Sequence, residues 1–526
     1  MKRSESIRAI ECNPDKIWDI VIIGGGATGL GAGVDAASRG YETLLLEKYD
    51  FSKGTSSRST KLVHGGVRYL KNGDIALVLE ALQERGLLLQ NAPHLVKNLK
   101  FVIPNYGWWD GPFYTVGLKV YDMMAGKLGL GPSVHISKKE TRQIIPNLVE
   151  EDLKGGVIYH DGQFDDSRLA INLAQTITDN GGYVLNYCGV TGLTKSEEGI
   201  INGVVCYDSE NSRSCTIKAK VVVNATGIFV DSINRMDEPG HKNTVVPSQG
   251  IHVILDESFL QSESAIMIPK TADGRVLFAV PWHGKVVVGT TDTPVKNLDI
   301  EPRALEEEIK FILKTAKKYL AKKPRREDVL SIFAGLRPLA APEDETQETK
   351  EISRSHKLVI SQSGLLTMIG GKWTTYRKMG EDIVDKALLL GGLDEKECVT
   401  KNMPIHGYAK NVKRDGHLYV YGADIPKIKA LTGQDPELSR QIHERLPNLK
   451  AEVVWAVREE MARTVEDFLA RRTRALLLDA KASIEMAPVV AKMMAAELGF
   501  DEEWEEKQVE EYTELARGYV LTEVEN

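Results

Sequence analysis

Apolar residues run along this chain in two rhythms. From Trp18 the stretch DIVIIGGG is an almost continuous apolar run, ATGLGAGVDAASRG carries small and apolar residues at helical spacing, and YETLLLEK is a second apolar run ending at Lys48. Unbroken apolar runs around a helical segment predict a strand–helix–strand unit with buried parallel strands. VVVNATGIFVD (221–231) reads as another buried strand entering a small-residue turn, and GGKWTTYRKMGEDIVDKAL (370–388) as a glycine pair opening a helix. In IMIPKTADGRVLFAVPWHGKVVVGTTDT (266–293), three strand-like runs separated by ADG and HGK predict an antiparallel meander. Residues 451–518 contain AEVVWAVREEM and FLARRTRALLL, apolar at helical spacing with few breakers, which predicts a separate helical domain. No stretch approaches the roughly 18 uninterrupted apolar residues of a membrane span. The opening MKRSESIRAIECNPDK has no apolar core of the signal-peptide kind.

The first turn carries chemistry. Gly24, Gly26 and Gly29 form GxGxxG where strand meets helix. The first allows a tight turn, the second lets backbone approach a pyrophosphate, the third lets helix and strand pack closely, and the helix N-terminus offers N–H groups to the anion. Glu47 ends the second strand 23 residues after Gly24, where a carboxylate accepts hydrogen bonds from a ribose. This fingerprint serves FAD and NAD alike; the later segments favour a flavin. Ala225, Thr226 and Gly227 form the turn after a returning strand. Gly371, Lys372, Trp373, Thr374 and Thr375 open a helix whose N-terminus would stabilise negative charge on a reduced flavin ring.

Composition narrows the class. At 526 residues and 58.3 kDa, with 42% hydrophobic and 27% charged residues, the chain suits about three ordinary globular domains. A net charge of −7 gives no global field for nucleic acid. The five cysteines, at 12, 188, 206, 215 and 398, are scattered without a CxxC pair, so neither a disulfide framework nor a metal site is expected, and a reducing cytosolic compartment fits.

GTSSRSTKLVHGGVRYL (54–70) strongly resembles the FAD-dependent glycerol-3-phosphate dehydrogenases. The resemblance continues in order through YHDGQFDDSRL, VVNATG, SQGIHV, VVVGTTDT, IFAGLRPL, ISRSHK and GGKWTTYRK, and REEMARTVEDFLARRTR (458–474) is similar to the family's helical terminal domain. It implies an α/β fold of the glutathione-reductase/D-amino-acid-oxidase type: a discontinuous Rossmann-like FAD domain (17–95, 150–240 and 330–395), an antiparallel-sheet substrate domain (96–149 and 241–329) and an all-α C-terminal domain (396–526). It implies sn-glycerol 3-phosphate as substrate and His252 as general base. Arg337, Arg354, Arg68, Tyr69 and Lys372 fall where the family contacts substrate and its phosphate, with Arg337 and Lys372 also beside the chemistry. Thr55, Ser56, Ser57 and Ser59 match the segment passing the pyrophosphate, Lys61 and Leu62 the ring edge, and His64 the flavin-contacting loop. Asp166, by contrast, is explained by capping of the helix that follows it.

The resemblance offers membrane quinone as electron acceptor and a homodimer as assembly, on the inner face of the cell membrane. It also leaves open an oxidase releasing hydrogen peroxide and a flavin-retaining protein without turnover. The family's oxidases commonly carry an inserted segment, and this chain has none. Peripheral contact with an anionic bilayer has two candidate stretches. KTAKKYLAKKPRR (314–326) holds seven positive and no negative residues, and YGWWDGPFYTVGLKVYDMM (106–124) supplies aromatic and apolar side chains.

Overall fold

The computed structural model describes residues 1–66, 74–107, 110–269, 271, 275–341 and 356–522. Ile17–Ile23 lies in the middle of a first sheet, parallel to Arg213–Asn224 on one side and Thr43–Leu46 on the other. Tyr183–Leu185 and Leu366–Gly370 extend the parallel core, and His356–Ile360 closes one edge antiparallel. Helices Ala27–Ser38, Asp166–Asp179 and Tyr376–Gly391 cover this sheet, and their apolar sides merge with Ile20, Ile22, Leu45 and Val223 in one core. Burial from both sides is why these strands read as continuous apolar runs rather than alternating ones.

The second sheet has ten strands and is largely antiparallel. Ala265–Ile268, Leu277–Trp282 and Lys285–Gly289 form the meander expected from the sequence. Beside it, Val245–Asp256 pairs with Val329–Ala340 over nearly its whole length. Alternation along these strands sorts their side chains. Ile251, Val253 and Val288 pack towards helix Glu306–Tyr319, whereas Ile254, Val287 and Phe333 face the C-terminal domain.

Three assignments change. Residues 155–163 and 329–340, placed with the FAD unit on sequence, are strands of the second sheet, because Gly155–Gln163 pairs along Lys97–Asn105 and Val329–Ala340 along Val245–Asp256. The C-terminal region is not wholly helical, since Gln441–His443 and Leu446–Leu449 form a hairpin. FLARRTRALLL is not one helix either. A π-helical turn, Asp467–Arg472, is followed by Arg474 at φ 66° before the short helix Ala475–Leu478.

That break has an electrostatic cause. Arg472 makes a two-pronged bond to Asp50 at 2.6 and 2.9 Å, and Arg471 Nε reaches the same carboxylate at 2.5 Å. Arg168 forks onto Glu460 at 2.8 and 2.7 Å, and Arg474 Nη2 meets Asp166 Oδ1 at 2.9 Å. These side chains are almost completely buried. Burial alone would raise the Asp50 pKa, but Arg472 and Arg471 outweigh it and hold the carboxyl far below its usual range. A regular helix would project three arginines so close in sequence in divergent directions; the π turn and the left-handed Arg474 aim them at one wall.

Two predictions follow from this interface. Asp50→Asn takes the carboxylate from the two-pronged bond of buried Arg472, while Arg471 keeps Glu466 and Asp467, and is expected to cost about 3–5 kcal/mol of unfolding free energy, read from urea denaturation of the holoprotein. His406 bridges Asp179 (2.6 Å) on the first-sheet helix and Asp424 (2.9 Å) in the C-terminal region. Burial opposes its charge, yet the two carboxylates lift its pKa to about 9. Because the folded value lies above the unfolded one, the stabilisation is complete below about pH 6.5 and disappears as pH rises through 9. Thermal unfolding should therefore separate wild type from His406→Gln by about 1–2 kcal/mol at pH 6, discounted for partial exposure, and by little at pH 10.

Candidate active site

The fingerprint turn is built for close approach. Gly24 sits at φ 109°, and a Cβ there would lie 2.7 Å from the Ala225 carbonyl oxygen. A Cβ on Gly29 would lie 1.9 Å from the Gly24 oxygen, so only glycine lets the helix start this near the strand. Gly26 is the N-cap of Ala27–Ser38 and brings no side-chain cap. Glu47, at the end of Thr43–Leu46, accepts from Gly25 N–H at 2.6 Å and Tyr49 N–H at 2.8 Å. Burial raises its pKa against the pull of those two donors.

The segment 54–64 then stitches the sheets together. Ser56 Oγ accepts from Ala27 N–H (2.9 Å) and its carbonyl accepts from Trp373 Nε1 (2.8 Å). Thr55 Oγ1 donates to the Leu336 carbonyl (2.6 Å), beside Arg337. His64 N–H donates to Thr374 Oγ1 (3.2 Å), and Thr374 and Thr375 are buried at the start of the 376–391 helix. Leu62 is buried in the short strand Leu62–Val63. Thr226 Oγ1 is anchored on Asn224 (2.8 Å), and Gly227 follows at φ 60°.

One expectation needs correction, and several side chains of the loop have partners that the motifs do not announce. The Lys61 side chain faces the protein interior. At φ 64° it turns inward, completely buried, with Nζ 2.7 Å from Asp166 Oδ2 and 2.8 Å from the Ser57 carbonyl. Ser59 Oγ also points to Asp166 (2.7 Å), and Ser57 Oγ to the Gly54 carbonyl, so both hydroxyls serve the loop. Asp165 rather than Asp166 caps the helix, accepting from Arg168 N–H at 3.2 Å. Asp166 is instead the buried counter-ion of Lys61 and Arg474. Nothing in the motif spacing announced this pairing, because Arg474 lies more than 300 residues away. Arg68, Tyr69 and Arg354 lie outside the described residues.

Across from this loop, the second sheet offers a hollowed floor. Gly250 and His252 share one face of Val245–Asp256, and their cross-strand partners are Gly335, Phe333 and Gly289. A Cβ on Gly250 would fall 2.2 Å from Arg337 Nη2, one on Gly289 2.2 Å from His252 Cδ2, and one on Gly335 3.0 Å from Arg58 Cβ. The glycines thus clear room for the imidazole, the guanidinium and the loop. Arg337 is steadied by Thr290 Oγ1 and the Thr291 carbonyl, each 3.0 Å from Nη2, and by Asp292 at 3.3 Å from Nη1. The His252 ring stacks on Phe333, centroids 4.9 Å apart, and its Nε2 lies 2.9 Å from Thr60 Oγ1. Burial, Lys61 and Arg337, in that order, push its pKa well below the usual value, so the ring is neutral. Lys372 opens the 373–375 turn with its Nζ buried.

A glycine cradle at a helix N-terminus, a carboxylate at the end of the second strand and a helix start facing the loop together fit a flavin dinucleotide. Gly24, Gly26, Gly29, Glu47 and Ser56 would hold its pyrophosphate and ribose, and Trp373 to Thr375 the ring side. Comparison with known proteins agrees. The family model described as FAD dependent oxidoreductase matches residues 19–377, and that described as the C-terminal domain of alpha-glycerophosphate oxidase matches 385–505. The mitochondrial glycerol-3-phosphate dehydrogenase of Schizosaccharomyces pombe is 39% identical over 96% of this chain and 87% of its own, and the human one 37% over 96% and 74%. The glycerol-3-phosphate dehydrogenase of Bacillus halodurans, solved with FAD, superposes with a TM-score of 0.80 at 30% identity over 100% of this chain and 99% of its own. The L-alpha-glycerophosphate oxidase of Mycoplasma pneumoniae, also solved with FAD, has a TM-score of 0.56 at 16% identity over 73% of this chain and 98% of its own, a likeness of fold alone. By the family models and by identity over nearly its whole length, this chain belongs to the FAD-dependent glycerol-3-phosphate dehydrogenase family.

Proposed function

We propose that the protein oxidises sn-glycerol 3-phosphate to dihydroxyacetone phosphate. The observation that carries this reading is the pairing, on one sheet face, of a neutral imidazole with a fixed guanidinium, His252 beside Arg337. Oxidising a secondary alcohol breaks a C–H and an O–H bond. FAD, when bound, accepts the hydride at N5. His252 takes the hydroxyl proton, its unprotonated ring holding a lone pair to receive it. Arg337 and Lys372 hold the phosphate, the first as a planar donor pair and the second as a point charge. Arg68, Tyr69 and Arg354 complete the substrate contacts on the strength of the resemblance. The full-length relatives are dehydrogenases, which favours an acceptor other than oxygen.

The test is anaerobic. With sn-glycerol 3-phosphate the flavin absorption of the purified holoprotein should bleach within seconds, and with glycerol at the same concentration it should persist, since a phosphate-binding cluster left unpaired costs about 10³-fold or more in reactivity. An intact yellow spectrum after the phosphate ester sinks the reading. Stoichiometric hydrogen peroxide in air would turn it into the oxidase.

We assign the electrons to membrane quinone, reached by peripheral contact with a bilayer. No helix among the described residues is long and apolar enough to cross one. What supports contact is the outer face of Asp110–Ala125, where Phe113, Val116, Val120 and Met123 lie at helical spacing, with Ile75 and Leu79 on the neighbouring helix Ile75–Asn91; all six are between 42% and 77% exposed. The basic run 314–326 supports it less, because Arg325 and Arg326 are paired with Glu327, Asp328 and Glu306. Val116→Glu with Met123→Glu should lower co-sedimentation with anionic vesicles at least about tenfold, given about 1.5–3 kcal/mol for each buried apolar side chain. Undiminished binding by a variant that keeps its flavin spectrum would reject this face.

A further inference from the structure

Thr60 is assigned nothing above, yet it is the hydrogen-bond partner of His252 Nε2, at 2.9 Å. The other ring nitrogen, Nδ1, is buried and meets no hydrogen-bond partner among the described residues. The ring has little freedom to exchange these positions. It stacks on Phe333 with an interplanar angle of 17°, and its Cδ2 edge fills the space that Gly289 leaves open.

A neutral imidazole carries one proton, and whichever nitrogen bears it, the other is the base; the hydrogen bond made by one nitrogen selects the role of its partner. If the Thr60 hydroxyl donated to Nε2, the proton would sit on Nδ1, leaving a buried donor unsatisfied and no basic nitrogen free. If Nε2–H donates to Thr60 Oγ1, the lone pair is on Nδ1, the nitrogen without a partner among the described residues. Only the second arrangement leaves a base able to act.

The loop holds Thr60 firmly enough for this purpose. On one side Ser59 N–H and Oγ both donate to Asp166 Oδ2, at 3.0 and 2.7 Å. On the other Lys61 Nζ is bonded to the same carboxylate and to the Ser57 carbonyl, which also accepts from Arg474 Nη2 at 2.7 Å. Lys61 Nζ lies 5.2 Å from the centroid of Phe333, the ring on which His252 stacks. Thr60 is thus clamped from both neighbours onto a carboxylate that the C-terminal Arg474 anchors.

Resting on the reading of His252 as base, we infer that Thr60 is a positioning residue that accepts the Nε2–H of His252 and so leaves Nδ1 as the nitrogen that takes the substrate's hydroxyl proton. In that step the O–H bond breaks and an Nδ1–H bond forms, while the hydride leaves carbon for the flavin. The imidazolium so produced donates from both nitrogens, and Thr60 stays in place as the acceptor of one.

The test uses the FAD-loaded protein labelled with 15N-histidine. Signals of His252 are those absent from His252→Gln. The expected result is a protonated, pyrrole-type Nε2 and a bare, pyridine-type Nδ1 in the wild type and in Thr60→Ser, with both tautomers present in the isosteric Thr60→Val. Substrate-driven bleaching by Thr60→Val should be slowed about tenfold at saturation, restored in Thr60→Ser, with the substrate concentration for half-maximal rate changed less than about twofold. A protonated Nδ1 in the wild type, or a Thr60→Val protein with an unchanged tautomer and unchanged rate, overturns the inference. If His252→Gln itself bleaches at the wild-type rate, the base assignment fails and takes the role of Thr60 with it. A slow His252→Gln beside a fast Thr60→Val removes Thr60 alone.

Discussion

Buried charge is tolerable only when each ion meets a counter-ion and every remaining polar atom meets a partner, because removing an ion from water costs several kcal/mol even after relaxation. Arg472 and Arg474 of the C-terminal domain satisfy this condition against carboxylates on the rest of the chain, Asp50 and Asp166, and Arg471 shares Asp50 besides Glu466 and Asp467 of its own domain. A fourth pair, Arg168 with Glu460, runs in the opposite direction, its cation on the first-sheet helix and its carboxylate in the C-terminal domain. The parts are consequently obliged to close on one another. The terminal domain forms the wall against which the cofactor loop is pressed.

The same electrostatics reach the chemistry. Asp166 lies beneath the loop 54–64 and is shared by Lys61, Ser59 and Arg474, so a residue of the terminal domain fixes the backbone that presents Thr60 to His252. Burial first, and then Lys61 and Arg337, hold the imidazole pKa well below its usual value. Under the proposed function, a dianionic ester bound beside Arg337 would offset those charges and raise the basicity of the ring at the moment the proton arrives. The glycines opposite supply room where any other side chain would collide.

Much of this was legible before folding. The fingerprint glycines, Glu47 and the meander follow from local rules, since a tight turn, a helix start and a two-residue alternation are encoded within a few positions. His252 and Arg337 were legible through motif resemblance, and their strands bring them to one face of one sheet. Asp166 was misread as a cap, and the inward partners of Lys61, Ser57 and Ser59 were not legible, because a hydroxyl, a lysine or an acid in a glycine-rich loop looks the same whether it points to a phosphate or into the protein. Its direction depends on a counter-ion, and for Lys61 the second member of the cluster, Arg474, is supplied by a distant segment.

The sequence by itself determined the dinucleotide unit, the antiparallel meander, the helical terminal region and the family, because each is carried by short-range periodicity or by ordered motifs. Only the tertiary structure decided which strands belong to which sheet, where the terminal helix breaks, which loop residues face inward and which nitrogen of His252 meets Thr60. Those outcomes rest on pairings between residues far apart in the chain, and a buried ion or a strand edge finds its partner in space, a relation that local sequence does not record.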